Sequence, residues 1–108
     1  MSEARDLYKQ GFALFADGDV DGAIGLYRQA TDTDADLAIA WNALSIALGR
    51  QGKLDEAIEA AHKLIALEPD DPLSHTNLSR FLQQQGNIPE AEAEMAKATQ
   101  LEMRRNSS

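Results

Sequence analysis

The chain has no cysteine, and that single absence removes disulfides, thiol nucleophiles and cysteine-based metal sites together. It also has no basic run longer than the pair Arg104-Arg105. Nucleic acid and anionic membrane surfaces are therefore poor partners, because phosphate binding needs a clustered basic stripe. No segment approaches the roughly 20 consecutive apolar residues of a membrane span. Met1 to Gln10 is charged and lacks the apolar stretch of a secretory signal, so the cytoplasm is the default location. A glycine-rich phosphate loop is missing too, and no low-complexity tract or linker divides the chain.

What is present is an ordinary apolar content of 44% with a net charge of −8 over 108 residues. That suffices for one domain with a continuous but thin core. The stretch from Ala38 to Asp71 sets the pattern. Trp41, Leu44, Ser45 and Leu48 recur at i, i+3, i+4 and i+7, one face of a helix. Ala57, Ala61, Leu64 and Leu67 do the same after a break at Gln51-Gly52-Lys53, and Pro69 closes the unit. The small residues Ser45, Ala57 and Ala61 allow two such helices to approach closely.

One helical pair cannot bury its apolar face alone, and the chain repeats the pair at a period of 34 residues. Gly18, Gly52 and Gly86 share a phase, followed by Val20, Leu54 and Ile88 and then by Ala23, Ala57 and Ala91. Leu14, Leu48 and Leu82 align, as do Leu7, Trp41 and His75, and Ala30, Leu64 and Ala98. These residues resemble the tetratricopeptide repeat family, whose unit is a 34-residue helix–turn–helix. The resemblance covers repeats at about 4–37, 38–71 and 72–105, leaving 106–108 as a disordered tail. It implies an all-α solenoid: three helical hairpins, six helices, stacked into a right-handed superhelix. The sequence departs from the family at Gly11, Ser45 and Ser79 (a varying small residue), at Tyr27, Ala61 and Met95 (one aromatic in three), and at Ala35, Pro69 and Met103 (one proline in three).

Helices are predicted near Glu3–Ala16, Val20–Thr33, Ala38–Arg50, Leu54–Leu67, Pro72–Gln85 and from Ile88 onward, with a capping Asp before the third and a frayed end from Arg104. Gly22 and Gly25 weaken the second helix by roughly 1 kcal/mol each. In the third repeat Glu92 and Thr99 stand where the second has Ile58 and Ile65, a partial polar cap on the trailing face, while Phe81, Leu101 and Met103 stay apolar near that end.

Asp17-Gly18-Asp19-Val20-Asp21-Gly22 matches the first half of a calcium loop, but position 12 is Arg28 where a bidentate Glu is required. A capped inter-helix turn is the better reading. His75 replaces the packing aromatic Trp41 and is read as a half-buried packing residue; His62 is read as solvated. No catalytic constellation, cofactor motif or metal site emerges, and the chain is read as a non-enzyme.

The resemblance further implies that the first helix of each repeat lines a concave groove for a partner segment. Carried over by position, that groove holds Arg5, Tyr8, Lys9 and Phe12 from the first helix. It continues with Ile39, Asn42, Ala43, Ile46 and Arg50 from the third, and with Leu73, Thr76, Asn77 and Arg80 from the fifth. Tyr8, Phe12, Ile39 and Ile46 are open to helix packing as well as to ligand contact. The groove is mildly basic inside an acidic shell, which fits a protein or peptide with apolar anchors and some acidic character. The family's clamp for chaperone C-terminal carboxylates would fall on Tyr8, Phe12, Ala43, Leu73 and Asn77, and none of its Lys, Asn and Arg residues is kept in place. A weak homo-oligomer through the incompletely capped ends is the alternative.

Overall fold

A computed structural model describes residues 2–107, and among these it shows six helices and no strand. They are α1 (Glu3–Ala16), α2 (Val20–Thr33), α3 (Ala38–Arg50), α4 (Leu54–Leu67), α5 (Pro72–Gln84) and α6 (Ile88–Ser107). Each tight turn inside a repeat needs a left-handed residue, and Gly18, Gly52 and Gly86 supply it at φ 91°, 78° and 87°. The stretch resembling a calcium loop is a capped turn: Asp19 caps α2 by accepting from the Gly22 amide at 3.0 Å. Pro72 opens α5 in its first turn, behind Asp71, whose carboxylate accepts from the Leu73 amide.

Three expectations about helix ends and faces are corrected. No acid caps α3; its N-cap is Leu37, and Asp34 instead accepts from the Asp36 amide within the preceding turn. Arg104 to Ser107 are not frayed but form the last turns of α6, so Asn106 and Ser107 of the expected tail are helical; Ser108 lies outside the described residues. Phe81 is 5% exposed, not part of an open end. Its ring occupies the gap left by Gly49 on α3, where an added Cβ would meet it at 2.5 Å.

Helices pair within repeats as α1–α2, α3–α4 and α5–α6, and between repeats as α2–α3 and α4–α5. Close pairing rests on small residues at the crossings. Gly11 lets the Tyr27 ring lie against α1, and Ala47, Ala57, Ala60 and Ala61 are almost fully buried between α3, α4 and their neighbours. Burying a ring the size of Tyr27 contributes roughly 1.5–3 kcal/mol. The backbones of α1 and α3, and of α3 and α5, also touch, whereas those of α2, α4 and α6 keep apart. The stack is thus tighter along its first helices, which line the inside of its curve.

Two polar links recur between repeats. The Gln51 side chain donates to Asp21 and the Gln85 side chain donates to Asp55, each joining the turn of one repeat to the first turn of the preceding second helix. At the corresponding position the third repeat carries Pro89, which has no acid to offer a following unit. Arg28 and Glu56 add an exposed ion pair of 2.9 Å between α2 and α4, of the kind that contributes about 0–1 kcal/mol.

Candidate functional site

The inner face is built by residues about one turn apart on α1, α3 and α5, and it carries large apolar side chains in the open. Phe12 is 56% exposed, Ile39 42%, Ile46 38% and Leu73 52%. These residues face away from the core because the repeat's apolar stripe (Leu14 and Phe15, Leu44 and Leu48, Leu78 and Leu82) is already used for packing. Between α1 and α3 lies a pocket of about 140 Å³, with Tyr8, Phe12, Ile39, Asn42 and Ile46 around it and Phe15 and Tyr27 in its floor. The aromatic floor is ordered by ring contacts: Tyr8 stacks on Tyr27 at 5.9 Å and leans on Phe12 at 6.2 Å. Burial pushes the Tyr27 hydroxyl pKa up, with the neighbouring Tyr8 adding to the shift, so it stays a neutral phenol.

Asn42 sits at the middle of α3 and accepts from the Asn77 side-chain amide at 2.8 Å, tying α3 to α5 across the groove floor. Two further depressions flank it. Toward the N-termini of α3 and α5, Ile39, Asn42 and Leu73 meet Glu68 and Asp71. Toward the C-termini, Ile46, Arg50, Asn77, Arg80 and Gln84 line a second hollow. Ile39 and Ile46 each form a wall shared with the aromatic pocket. The Arg50 guanidinium lies over the Phe15 ring at 4.9 Å.

Of the thirteen residues assigned to the groove by position, ten converge on this row: Tyr8, Phe12, Ile39, Asn42, Ala43, Ile46, Arg50, Leu73, Asn77 and Arg80. Asn77 contributes from a nearly buried position, as a strut more than as free surface. Arg5 and Lys9 are exposed on α1 but line none of the three hollows. Thr76 belongs elsewhere: it lines a depression with Met95, Thr99, Glu102 and Met103 between α5 and α6, the trailing face. The aromatic pocket also includes two residues that positional reasoning omitted. Phe15 is one, and it occupies the position held by Gly49 in the second repeat, so the change in size was its only sequence signal. Tyr27 is the other; it comes from a second helix and reaches the pocket beneath Gly11.

Among the described residues no helix is long and apolar enough to cross a membrane. Two family models, both described as tetratricopeptide repeat, match residues 8–72 and 48–104. A search of curated proteins finds no match. Among solved structures, MamA superposes with a TM-score of 0.95 at 24% identity, covering 99% of this chain and 63% of that one. The chain therefore spans less than two thirds of the length of MamA. The first such repeat domain of Spaghetti (RPAP3), bound to the HSP90 peptide SRMEEVD, gives 0.89 at 21% identity over 93% of this chain and 79% of that one. The Yersinia enterocolitica type III secretion translocator chaperone SycD gives 0.86 at 20% identity, with coverages of 91% and 74%. At these identities the likeness is one of fold.

Proposed function

The chain belongs to the tetratricopeptide repeat family, and from that premise we propose that it is a non-catalytic interaction module that holds a segment of a partner protein along α1, α3 and α5. The observation that carries this reading is the row of exposed Phe12, Ile39, Ile46 and Leu73 on the inside of the curve, around a pocket with an aromatic floor. An apolar patch so placed loses little by staying open and gains burial when an apolar side chain enters. The Asn42–Asn77 pair supplies polar groups in the same floor, where a partner's backbone can hydrogen-bond.

The partner segment brings apolar anchors and some acidic character. RPAP3 is seen with the acidic peptide SRMEEVD. The positions that would hold such a tail in the family's carboxylate clamp are here Tyr8, Phe12, Ala43, Leu73 and Asn77, which favours an apolar anchor over a chaperone tail. The test is a randomised peptide library screened against the wild type and against the double variant Phe12→Glu/Ile46→Glu. Loss of the selected peptides by the variant is expected; equal binding would move the site off this face.

Self-association through the terminal repeats is the rival reading. Of the residues that motivate it, Met103 is exposed on α6 and Leu101 is half-buried, but Phe81 no longer contributes because it is buried against Gly49. It stands second.

A further inference from the structure

The hollow beyond Ile46 is chemically unlike the rest of the surface. Arg50 and Arg80 both line it and no carboxylate does, in a chain with 18 acids and 10 Lys and Arg residues. Neither arginine forms an ion pair, unlike Arg28 with Glu56 and Lys97 with Glu94. Arg50 is held by its face, 4.9 Å over the Phe15 ring. A guanidinium stacked in this way keeps its in-plane N–H fork free, the geometry that a carboxylate matches. Arg50 also sits in the last turn of α3, where a cation complements the helix end. That account does not extend to Arg80, which lies before the last turn of α5. The opposite hollow has the reverse character, with Glu68 and Asp71 at its lip. The groove is therefore polarised along the axis of α3: acids at the N-terminal end, unpaired arginines at the C-terminal end, and the aromatic pocket between.

We propose that Arg50 and Arg80 form a carboxylate subsite, which takes an Asp or Glu side chain of the partner segment and sets the direction in which that segment lies. The proposal rests on the groove reading and deepens it. Ile46 is the common wall of the aromatic pocket and the arginine hollow, so the two side chains they receive are near neighbours on the ligand. In an extended segment, residues i and i+2 point to the same side about 6–7 Å apart. The recognised element is thus a bulky apolar residue and an acid at the i, i+2 spacing, with the acid at the Arg50–Arg80 end and no acid at the Glu68–Asp71 end.

The experiment is selection from a randomised short-peptide library on the wild-type chain, followed by affinity measurement of the enriched peptide against single variants. Enrichment of Asp or Glu at i, i+2 from a bulky apolar residue is expected. Arg50→Ala and Arg80→Ala should each weaken that peptide on the order of tenfold, the scale of one charge-assisted hydrogen bond. Reselection on Arg80→Glu should replace the acid by Lys or Arg. Both arginines are exposed, so Arg80→Ala should melt like the wild type and Arg50→Ala only slightly below it, for the lost Phe15 contact. Enriched peptides without the acid, or wild-type affinity in both alanine variants while Ile46→Glu abolishes binding, would overturn the subsite and leave the groove standing. Peptides indifferent to Ile46→Glu, or no enrichment at all, would overturn both.

Discussion

His75 and Trp41 occupy the same place in successive repeats, and each directs a ring N–H to the carbonyl six residues upstream. Trp41 Nε1 donates to Ala35 at 2.8 Å and His75 Nε2 to Pro69 at 3.0 Å. The contact fastens the start of a first helix to the joint that precedes it. The imidazole has a second nitrogen, and Nδ1 faces Glu94 Oε1 on α6 at 2.9 Å. Lys97 donates to the other Glu94 oxygen at 3.2 Å. A carbonyl can only accept, so Nε2 is the donor of that contact, and Nδ1 is left to face the carboxylate.

Glu94 should therefore be the side chain through which pH acts on the α5–α6 hairpin. Partial burial pushes its carboxyl up, but hydrogen bonds from His75 and Lys97 outweigh that and hold it below its ordinary 4.5. A lowered folded value means that the carboxylate's contribution is complete above the unfolded value and is lost as pH falls through the folded one. Wild type should lose stability as pH drops below about 4.5, and Glu94→Gln should lose less over that window. At neutral pH, Glu94→Ala should cost about 1–3 kcal/mol, because it leaves a nearly buried imidazole nitrogen without its hydrogen-bond partner. Denaturant titrations of the three proteins at pH 7 and pH 3 check both statements. Parallel pH curves for wild type and Glu94→Gln would contradict the first.

Glycines on α1 and α2 should respond in opposite directions to the same added methyl. A Cβ on Gly25 meets nothing within 4 Å, so Gly25→Ala should stabilise by about 0.5–1 kcal/mol through helix propensity alone. A Cβ on Gly11 would stand 2.8 Å from the Tyr27 ring and 3.3 Å from the Ala23 carbonyl oxygen. That ring is buried and cannot swing aside, so Gly11→Ala should cost about 1–3 kcal/mol. Thermal melts of the two variants measure the contrast directly.

Much of this fold was legible in the sequence because its informative residues are periodic. The phase of Gly18, Gly52 and Gly86 marks the three turns, and the alignment of Leu14, Leu48 and Leu82 marks the packed stripe. What periodicity does not show is which neighbour a side chain meets. Phe81 read as part of an open end because it is an apolar residue of the last repeat; its burial depends on Gly49, which stands in the previous repeat where the first repeat has Phe15. A large residue opposite a new glycine was the available clue. Asn42 pairs with Asn77 across 35 residues, one off the repeat period, so alignment placed Asn42 against Thr76 instead. His75 was correctly located as the ring of its repeat, but Glu94 replaces Ala60 of the second repeat, and only the structure brings the two substitutions together. Most of the residues assigned by position line the hollows along α1, α3 and α5, because such positions are also periodic. Tyr27 was not among them, since it enters from a second helix.

Trp41 separates packing from hydrogen bonding at the joint of the first two repeats. Its ring is half-buried against the main core, and its N–H holds Ala35. Trp41→Phe keeps most of the apolar contact and loses the hydrogen bond, for an expected cost of about 1 kcal/mol. Trp41→Ala should cost about 2–4 kcal/mol, toward the low side of the range for removing a large aromatic from a full core. Against a total of roughly 5–15 kcal/mol for a chain of this size, that leaves a marginal but folded protein. Chemical melts followed by far-ultraviolet circular dichroism, which does not depend on the lost indole, would show the two steps. Equal melts for all three would mean that the joint is held by other contacts.

The final expectation concerns the outward face of α6, the last of the described helices. Met103 is 65% exposed and Met95 44%, around a depression that also contains Thr76, Glu102 and Asn106. The same face carries Glu92 and Thr99 where the second repeat has Ile58 and Ile65, which pack on the core. Two copies meeting here would have to bury those polar groups around a small apolar centre, and the net charge of −8 on each chain adds repulsion. The chain is therefore expected to stay monomeric into the high micromolar range. Met95→Lys/Met103→Lys should leave both its mass and its peptide affinity unchanged. Light scattering across a concentration series measures the mass. A mass that doubles with concentration in wild type and returns to the monomer in the double-lysine variant would establish self-association through α6 instead.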